Sequence, residues 1–485
     1  MGNTEMIVFI VYLVFMVGIG FYFFLRSRSG GEKDYFLGGR KMGPWVSALS
    51  AGASDMSAWV LMGLPASVYA LGVGQTWIAI GLAIGYALSW IFEASRLRRY
   101  SIAARDSITI PQFLTNRFLT DNRAMQVVCA VIFLVAYTIY AASSIKACGT
   151  LFHTVAGIDA RAAMYLAAVI IISNTFLGGF SAVCWTDFFQ GLLMLGALLI
   201  APIFALMLVR SGQGTSTLGE VGPAYWKLFT SWQDIASGLG WGLGYFGMPH
   251  IIIRFMSVRS DEDIKKSAGI GIVWTLLILG FSVGSALVAR LFLGEISDTS
   301  TVFIQMVRRI FPPLISGVLL SAILAASMST ADSQLLASAS AFASDVYKPI
   351  LRKGKSGDRE MLWVSRIVVL CIAVVALLIA SNPASGTIMN LVENAWGVFG
   401  ASFGPVILLS LFWRRLTFNG ALAGIVAGAA VDILWLIFLS GTGLYEIIPG
   451  FACGLIAALA VSLLGKAPDK DVTDLFDLVA SNQKI

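Results

Sequence analysis

The stretch SALSAGASDMSAWVLMGLPAS, residues 47–67, is apolar enough to lie within a membrane, yet it contains groups that a membrane helix rarely carries. Gly52 and Pro65 weaken a helical backbone, and Asp55 places a carboxylate between them. A chain in lipid must satisfy its own backbone hydrogen bonds, so an interruption is tolerated only where the freed groups face protein or water. The stretch therefore predicts a broken membrane helix that lines an internal cavity.

A second interruption is predicted in SGLGWGLGYFGMPH, residues 237–250, which is rich in glycine and ends in Pro249. Four apolar segments lie between the two stretches, so each opens a block of five segments, at about 46–209 and 233–413. Broken helices at matching positions of two halves are typical of inverted-repeat transporters with a binding site at mid-membrane depth. Close packing of helices also selects glycine. The matched pair of interruptions favours a binding site.

Composition places the rest of the chain in a membrane as well. Of 485 residues, 58% are hydrophobic and 12% are charged, and the mean hydropathy is +0.83. Soluble domains carry about 25% charged residues. The five cysteines and two histidines lack the spacing of a disulfide framework or a zinc site, and no nucleophile can be assembled with them, so an enzyme is not predicted. The Lys and Arg residues do not form runs with interleaved aromatics, so nucleic acid is not an expected partner.

Thirteen apolar segments are long enough to cross about 30 Å of hydrocarbon. The predicted fold class is therefore an all-α membrane protein with about 13 transmembrane helices in one domain, residues 1–465. The segments lie near 5–25, 46–71, 76–96, 124–156, 162–181, 186–209, 233–257, 264–294, 314–345, 362–381, 385–413, 417–440 and 445–465.

Most of the 33 Lys and Arg residues fall in alternate loops, beginning with the loop after the first segment. Loops rich in these residues face the cytoplasm. The pattern predicts an N-terminus outside and a C-terminus inside the cytoplasmic (inner) membrane. Residues 466–485 are polar, and we expect them to form a short, solvated cytoplasmic tail.

A cation site is predicted between the first interruption and the segment at 314–345. Asp55 lies about 15 Å into the membrane at helical rise, where a carboxylate is costly and usually functional. Ser329 and Thr330 are adjacent hydroxyls, with Ala326 one turn earlier. Sodium prefers oxygen ligands, which hydroxyls and the free carbonyls of an interrupted helix provide. A structural hydrogen bond from Asp55, and hydroxyls bonded to their own helix, are the alternatives.

Long motifs in the chain resemble the solute:sodium symporter family, most of all its proline-transporting bacterial branch, over nearly the whole length to about Leu464. These motifs are DYFLGGRKMGPW (34–45), LSAGASDMSAW (49–59), SITIPQFLTNRF (107–118), GGFSAVCWTDFFQG (178–191), GWGLGYFGMPHIIIRF (240–255), MSTADSQLL (328–336) and FGASFGPVILLSLFWRRLTFNGALAG (399–424).

The resemblance implies a LeuT-type five-plus-five inverted repeat with flanking helices, and sodium-coupled symport of a small solute, with L-proline as the first candidate, by alternating access. It implies no cofactor other than sodium as the coupling ion. The implied sodium ligands are the carbonyls of Ala53, Met56 and Ala326 and the hydroxyls of Ser329 and Thr330. The residues implied in sodium coupling are Asp55, Ser57, Asp187 and Arg40. The implied solute-binding residues are Tyr140, Trp241, Tyr245, Met248 and Pro249.

Three departures from the family pattern affect these expectations. Ala58 stands where a glycine is expected. Met248 replaces a glutamine beside the solute, which exchanges an amide for an adaptable thioether. Another amino acid or a small carboxylate therefore remains an alternative substrate, protons remain an alternative coupling ion, and a transporter-like sensor is the alternative of another class.

The third departure is a pair of charges within apolar segments. Lys146 and Glu393 both lie roughly 12–15 Å below the predicted outer surface. Because buried membrane charges usually find partners, we predict that the two side chains pair, directly or through water, across the outer vestibule as a possible outer gate. The alternatives are that Lys146 extends to the interface alone, or that it faces a carboxylate of the solute.

Overall fold

A computed structural model describes residues 2–26, 32–177, 179–215 and 221–481 of the chain. Its regular secondary structure there is helical. The first ten helices are α1 Gly2–Arg26, α2 Glu32–Leu37, α3 Pro44–Asp55, α4 Gly63–Leu71, α5 Thr76–Leu88, α6 Ala94–Ala103, α7 Ile110–Asn116, α8 Ala124–Ala156, α9 Ala160–Leu177 and α10 Phe180–Leu208. The others are α11 Trp232–Gly240, α12 Pro249–Ser257, α13 Asp261–Leu293, α14 Val302–Ile310, α15 Pro313–Phe342, α16 Asp358–Ser381, α17 Ile388–Phe412, α18 Phe418–Phe438, α19 Ile447–Leu464 and α20 Lys470–Ala480.

Ten of the described helices are long and apolar enough to cross a membrane without interruption. The other three predicted segments are present in a different form. The segment at 162–181 is helix α9, while those at 46–71 and 233–257 are each divided into two short helices. The thirteen predicted segments are therefore found, and the two that the sequence marks as interrupted are the two that break.

The first interruption separates α3 from α4. Helix α3 ends at Asp55, and the backbone of Ser57 is extended, with ψ of −171°. The Ser57 hydroxyl accepts a hydrogen bond from the N–H of Trp59, which restarts the chain as a short 3₁₀ turn. A serine that caps in this way satisfies one of the N–H groups that a new helix leaves without a partner. The result is a break in the helix over residues 56–62, buried inside the protein.

The second interruption separates α11 from α12. Between them the chain runs as a 3₁₀ helix over Trp241–Phe246, and Met248 is extended, with ψ of 104°. Pro249 occupies the first position of α12, where its lack of an N–H costs nothing and its fixed φ suits the helix. Proline thus determines where the chain becomes helical again.

The backbone around the second interruption lies directly against α5. A methyl group on Gly81 would lie 2.1 Å from the carbonyl oxygen of Gly238, and one on Gly85 would lie 2.2 Å from that of Gly242. Real side-chain carbons do not approach an oxygen so closely. These glycines are therefore required for the contact, which joins α5 and the α11 side of the break backbone to backbone.

Each interruption is surrounded by long helices. The break after α3 contacts α8, α13, α15 and α17, and the break after α11 contacts α5, α17 and α19. Helix α15 is buried along most of its length, so it forms the centre of the molecule. The two breaks consequently face each other in the interior, away from lipid.

The expectation of a merely solvated tail is wrong. Helix α20 lies within residues 466–485, and its Val472, Phe476 and Val479 are buried. Their spacing places them on one face of a helix. Phe476 packs against Tyr100 of α6, with ring centroids 6.4 Å apart. The pattern is short and lies among charged residues, so the sequence alone did not reveal it.

Candidate functional site

The predicted sodium ligands converge where α3 ends against α15. The Ser329 hydroxyl lies 2.7 Å from the carbonyl oxygen of Ala53 and 3.1 Å from that of Ala326, and all three residues are fully buried. A hydroxyl has one proton to donate, so only one of the two carbonyls can receive it at a time. The neighbouring Thr330 hydroxyl is buried and lacks a hydrogen-bond partner within the described part of the chain. This group offers unsatisfied oxygens of the kind that a sodium ion binds.

Met56, the fifth predicted ligand, follows the last residue of α3. Its N–H closes the helix on the carbonyl of Gly52 at 2.8 Å, and its side chain is fully buried. Met56 therefore lies at the interruption itself, where the backbone stops being helical after α3.

Asp55 links the first interruption to the second. Its Oδ2 accepts a hydrogen bond of 2.5 Å from the Tyr245 hydroxyl, and its backbone oxygen lies 3.5 Å from the hydroxyl of Tyr140. All three side chains are fully buried. Oδ1 of Asp55 has no hydrogen-bond partner among the described residues. Residues predicted separately for ion coupling and for solute binding thus meet at one residue, Asp55.

Aromatic rings form a wall around the second interruption. The ring of Trp241 lies 6.3 Å from Trp59 and 5.2 Å from Tyr445, and Tyr245 lies 5.1 Å from Trp396. The Trp396 indole also donates to the carbonyl of Trp241 at 2.8 Å. The wall therefore draws on the first break, the second break and α17. It offers an apolar surface suited to a small hydrophobic ring.

The other predicted solute residues, Met248 and Pro249, are buried at the start of α12. The structure adds wall residues that the sequence did not single out. Tyr86 of α5 packs on Tyr245 with ring centroids 5.3 Å apart. These partners lie on other helices, so spacing along the chain carries no signal for them. The added residues are Trp59, Tyr86, Trp396 and Tyr445.

His250 is a further residue that sequence analysis passed over. Its Nε2 lies 3.1 Å from the carbonyl oxygen of Ser54, which accepts only, so Nε2 carries the proton. Nδ1 then accepts from the Tyr137 hydroxyl at 3.2 Å, and that oxygen accepts the His250 N–H at 2.9 Å. The neutral imidazole of His250, at the second interruption, thus donates a hydrogen bond to the Ser54 carbonyl, which the first interruption leaves free.

Asp187 lies on α10, next to this region, in a buried ion pair. Its Oδ2 is 3.0 Å from Arg254 of α12 and 2.7 Å from the hydroxyl of Ser50 on α3. Arg254 also donates to Ser333 at 2.6 Å, one turn beyond Ser329 on α15. The pair joins α3, α10, α12 and α15 on the predicted inward side of the ion ligands. A cleft lined by Arg254, Ser333, Phe36, Phe180 and Ser340 adjoins it.

Arg40 ties together the loops that precede α3 and follow α6. It donates to Asp106 at 3.2 Å and to the carbonyls of Ser107 at 2.8 Å and Met256 at 2.6 Å. Burial raises the pKa of Asp106, but the hydrogen bond from Lys33 and the charge of Arg40 outweigh it, so that the pKa lies below its usual value. Because Met256 belongs to α12, Arg40 connects this loop to the half of the broken helix that follows the wall.

Lys146 and Glu393 form no direct ion pair within the described part of the chain, so the direct form of the predicted pairing is not found in this conformation. Lys146 donates instead to the Ser385 hydroxyl at 3.4 Å and to the carbonyl of Gly386. Its flexible side chain reaches loop oxygens before α17 more easily than a carboxylate within that helix.

Comparison with solved structures gives the fold a name. The chain resembles a Na⁺-coupled sialic acid symporter in a substrate-bound, outward-open state, with a TM-score of 0.77 at 22% identity, covering 96% of this chain and 99% of that one. It also resembles a nucleobase-cation-symport-1 family transporter in a closed conformation, with a TM-score of 0.56 at 15% identity over 93% of this chain and 99% of that one. The predicted LeuT-type fold is confirmed.

Curated relatives match at much higher identity. The high-affinity proline transporter PutP of Bacillus subtilis is 43% identical over 470 residues, which cover 94% of this chain and 97% of the relative. A sodium/proline symporter of Staphylococcus aureus is 43% identical over 481 residues, which cover 96% and 94%. The osmoregulated proline transporter OpuE of Bacillus subtilis is 42% identical over 478 residues, which cover 97% and 96%.

A family model described as the sodium:solute symporter family matches residues 35–428. This match agrees with the ten long apolar helices and confirms the predicted family. The chain is a multi-pass membrane protein that transports a small solute with sodium, and it belongs to the sodium:solute symporter family.

Proposed function

We propose that this protein couples the entry of sodium to the uptake of L-proline by alternating access. The observation that carries the proposal is the hydrogen bond between Tyr245 and Asp55, because it joins an aromatic wall to the residue at which the ion ligands begin. The relatives at 42–43% identity are named for proline transport. An apolar wall suits the pyrrolidine ring of proline.

Sodium binds first in this mechanism, between the end of α3 and α15. The ligands are the carbonyls of Ala53, Met56 and Ala326 with the hydroxyls of Ser329 and Thr330. An ion that binds there fixes the end of α3 and with it Asp55 and Tyr245, so that the solute meets a preformed wall. Coupling requires the ion to favour one conformation, since a ligand with equal affinity for both shifts neither.

Sodium is released along a path on the inward side of its ligands. Asp187 and Arg254 lie there, beside the cleft lined by Ser333. When Arg254 leaves both Ser333 and Asp187, one hydroxyl of α15 and one carboxylate become available to a departing cation. We place this end in the cytoplasm and the N-terminus outside the inner membrane, because the Lys and Arg residues are concentrated in the loops of that face. Inward movement of one charge at 100 mV supplies about 2.3 kcal/mol.

Proton coupling through Asp55 is the second candidate. It is favoured by one observation, that the buried Oδ1 of Asp55 lacks a hydrogen-bond partner among the described residues. A protonated carboxyl there could replace the charge of the ion.

Uptake of labelled proline into proteoliposomes tests both candidates. An inward sodium gradient at equal pH should drive accumulation, while an inward proton gradient without sodium should not. Accumulation driven by protons alone would replace the proposal by the second candidate. Competition by a panel of amino acids and short carboxylates identifies the substrate, and a panel member that is preferred to proline would overturn the proline assignment.

A further inference from the structure

Three carboxyl groups lie at one end of helices α17, α18 and α19 without any basic residue on those helices. Glu393 is on α17, Asp432 is on α18, and Glu446 immediately precedes α19, whereas the three helices contain neither Lys, Arg nor His. The prediction from sequence considered only Glu393, and the proposed transport mechanism uses none of them. A carboxylate within a membrane helix or at its buried end is energetically unfavourable unless something neutralises it.

Asp432 and Glu446 share a confined space. Asp432 is fully buried, Glu446 is 7% exposed, and both oxygens of Asp432 and Oε1 of Glu446 have no hydrogen-bond partner within the described residues. A methyl group on Gly397 of α17 would lie 2.9 Å from Oδ1 of Asp432 and 3.4 Å from Cγ of Glu446. One on Gly450 of α19 would lie 3.0 Å from Cβ of Asp432. Because Gly397 and Gly450 have no side chain, the two carboxyl groups fit into one gap between α17, α18 and α19.

Among the residues that the structure describes, no basic group is found beside these two carboxyl groups. Lys146 on α8, which packs against α17, uses its ammonium group on Ser385 and Gly386. The other ionisable groups that face the gap are Glu393 and the phenol of Tyr445. Two carboxylates this close cannot both ionise without compensation in a low-dielectric interior. Groups of three side chains suited to a metal ion are not found in the described ranges, which argues against a divalent ion.

We propose that Asp432 and Glu446 together bind one small monovalent cation, a proton or a sodium ion, with Glu393 beside them. A proton needs only the two carboxyl groups, one donating to the other. A sodium ion needs the same oxygens together with backbone carbonyls of the surrounding helices. This site is separate from the ion ligands at Ala53 and Ser329, because the aromatic wall lies between the two.

The proposed site contacts the solute wall through one residue. Tyr445 is adjacent to Glu446, its hydroxyl donates to the backbone oxygen of Glu393 at 2.8 Å, and its ring packs on Trp241 at 5.2 Å. Loss of the cation would leave two repelling carboxylates beside this tyrosine. The ring would shift, and Trp241 with it. Occupancy of the site therefore alters the affinity of the wall for the solute.

Difference infrared spectroscopy of the purified full-length protein tests binding directly. Between acidic and alkaline sodium-free buffer, the wild type should show the carbonyl stretch of a buried protonated carboxyl group. Asp432→Asn should abolish this signal, and Glu446→Gln, as a second variant, should abolish or shift it. Glu295→Gln, which changes an exposed carboxylate after α13, is the matched control and should leave it unchanged. Thermal unfolding verifies that each variant is folded.

Addition of sodium at constant pH identifies the cation. If sodium binds here, it removes the protonated signal in the wild type; if the site holds only a proton, sodium leaves the signal in place, and either result supports the proposal. Spectra of Asp432→Asn and Glu446→Gln that match the wild type would overturn it. Across the same pH range, the solute affinity of the wild type should change by about fivefold or more and that of Asp432→Asn should not. A folded Asp432→Asn protein that keeps the wild-type pH dependence of solute affinity would refute the link to the wall.

Discussion

The hydroxyl of Tyr245 donates a hydrogen bond of 2.5 Å to Oδ2 of Asp55, so a side chain of the second interruption closes on the residue where the first begins. Asp55 directly follows Ser54, whose carbonyl lies 3.1 Å from Nε2 of His250. Two independent hydrogen bonds therefore connect the breaks, one through a carboxylate and one through a freed carbonyl. Movement of either interruption therefore changes the hydrogen bonds of the other.

The bond between Tyr245 and Asp55 predicts a joint effect on ion and solute. Tyr245→Phe removes a hydrogen bond to a charged group, which is worth about 1.5–3 kcal/mol. We expect the apparent affinities for sodium and for proline both to fall, by about tenfold to a hundredfold. Tyr69→Phe is the control, because it removes a buried hydroxyl that donates to Gly294 instead. A change in solute affinity alone would show that the bond does not connect the two sites.

The hydroxyls of α15 predict a selective loss of sodium affinity. Ser329→Ala and Thr330→Ala should each raise the sodium concentration for half-maximal uptake by about tenfold, equivalent to about 1.4 kcal/mol. Ser321→Ala is the matched control, since Ser321 is buried on the same helix and, among the described residues, its hydroxyl bonds back to Gly317 at 2.8 Å and to no other residue. Equal effects of the control and the test variants would remove these hydroxyls from the ligand set.

The buried pair of Asp187 and Arg254 predicts non-additive stability. Asp187→Asn leaves a buried guanidinium without its carboxylate, and removal of one partner of such a pair costs about 3–5 kcal/mol. The melting temperature of the purified protein should therefore drop sharply. Adding Arg254→Gln to that variant removes the unpaired charge and should restore part of the loss. A double variant that melts below both single variants would contradict this account.

Docking of α20 should depend on pH. The hydrogen bond and charge of Arg414 hold the pKa of Asp477 below its usual value. The pair therefore stabilises docking at pH above the ordinary carboxyl pKa of about 3.9, and this contribution is lost as the pH falls through the lower, folded value. The protection factors of the amides of 470–480, which are exchange rates corrected for the intrinsic pH dependence of amide exchange, should fall on acidification in the wild type and in Asp471→Asn. In Asp477→Asn these protection factors should already be lower than the wild type at neutral pH, and wild-type protection factors there would rule out the role of the pair.

The interruptions could be predicted because glycine, proline and a carboxylate are conspicuous in an apolar stretch. Residues close together in sequence, such as Ser329 and Ala326, could likewise be placed on one side of a helix. Partners on distant helices could not. His250 contacts Ser54, and Arg254 contacts Asp187, only after the helices have packed. The spacing of residues within one segment carries no information about which helices pack together. Depth in the membrane is also insufficient information. Lys146 and Glu393 lie at equal predicted depth, yet they form no direct ion pair in the described part of the chain.

The contact of Gly81 and Gly85 with Gly238 and Gly242 has a consequence for the transport cycle. Two backbones in direct contact have no intervening side chains that could rearrange, so they resist sliding past each other. We therefore expect α5 and α11 to move together as one rigid body when the protein changes from the outward-facing to the inward-facing conformation. The hinge must then lie in the extended residue Met248, where the chain turns toward Pro249 and α12.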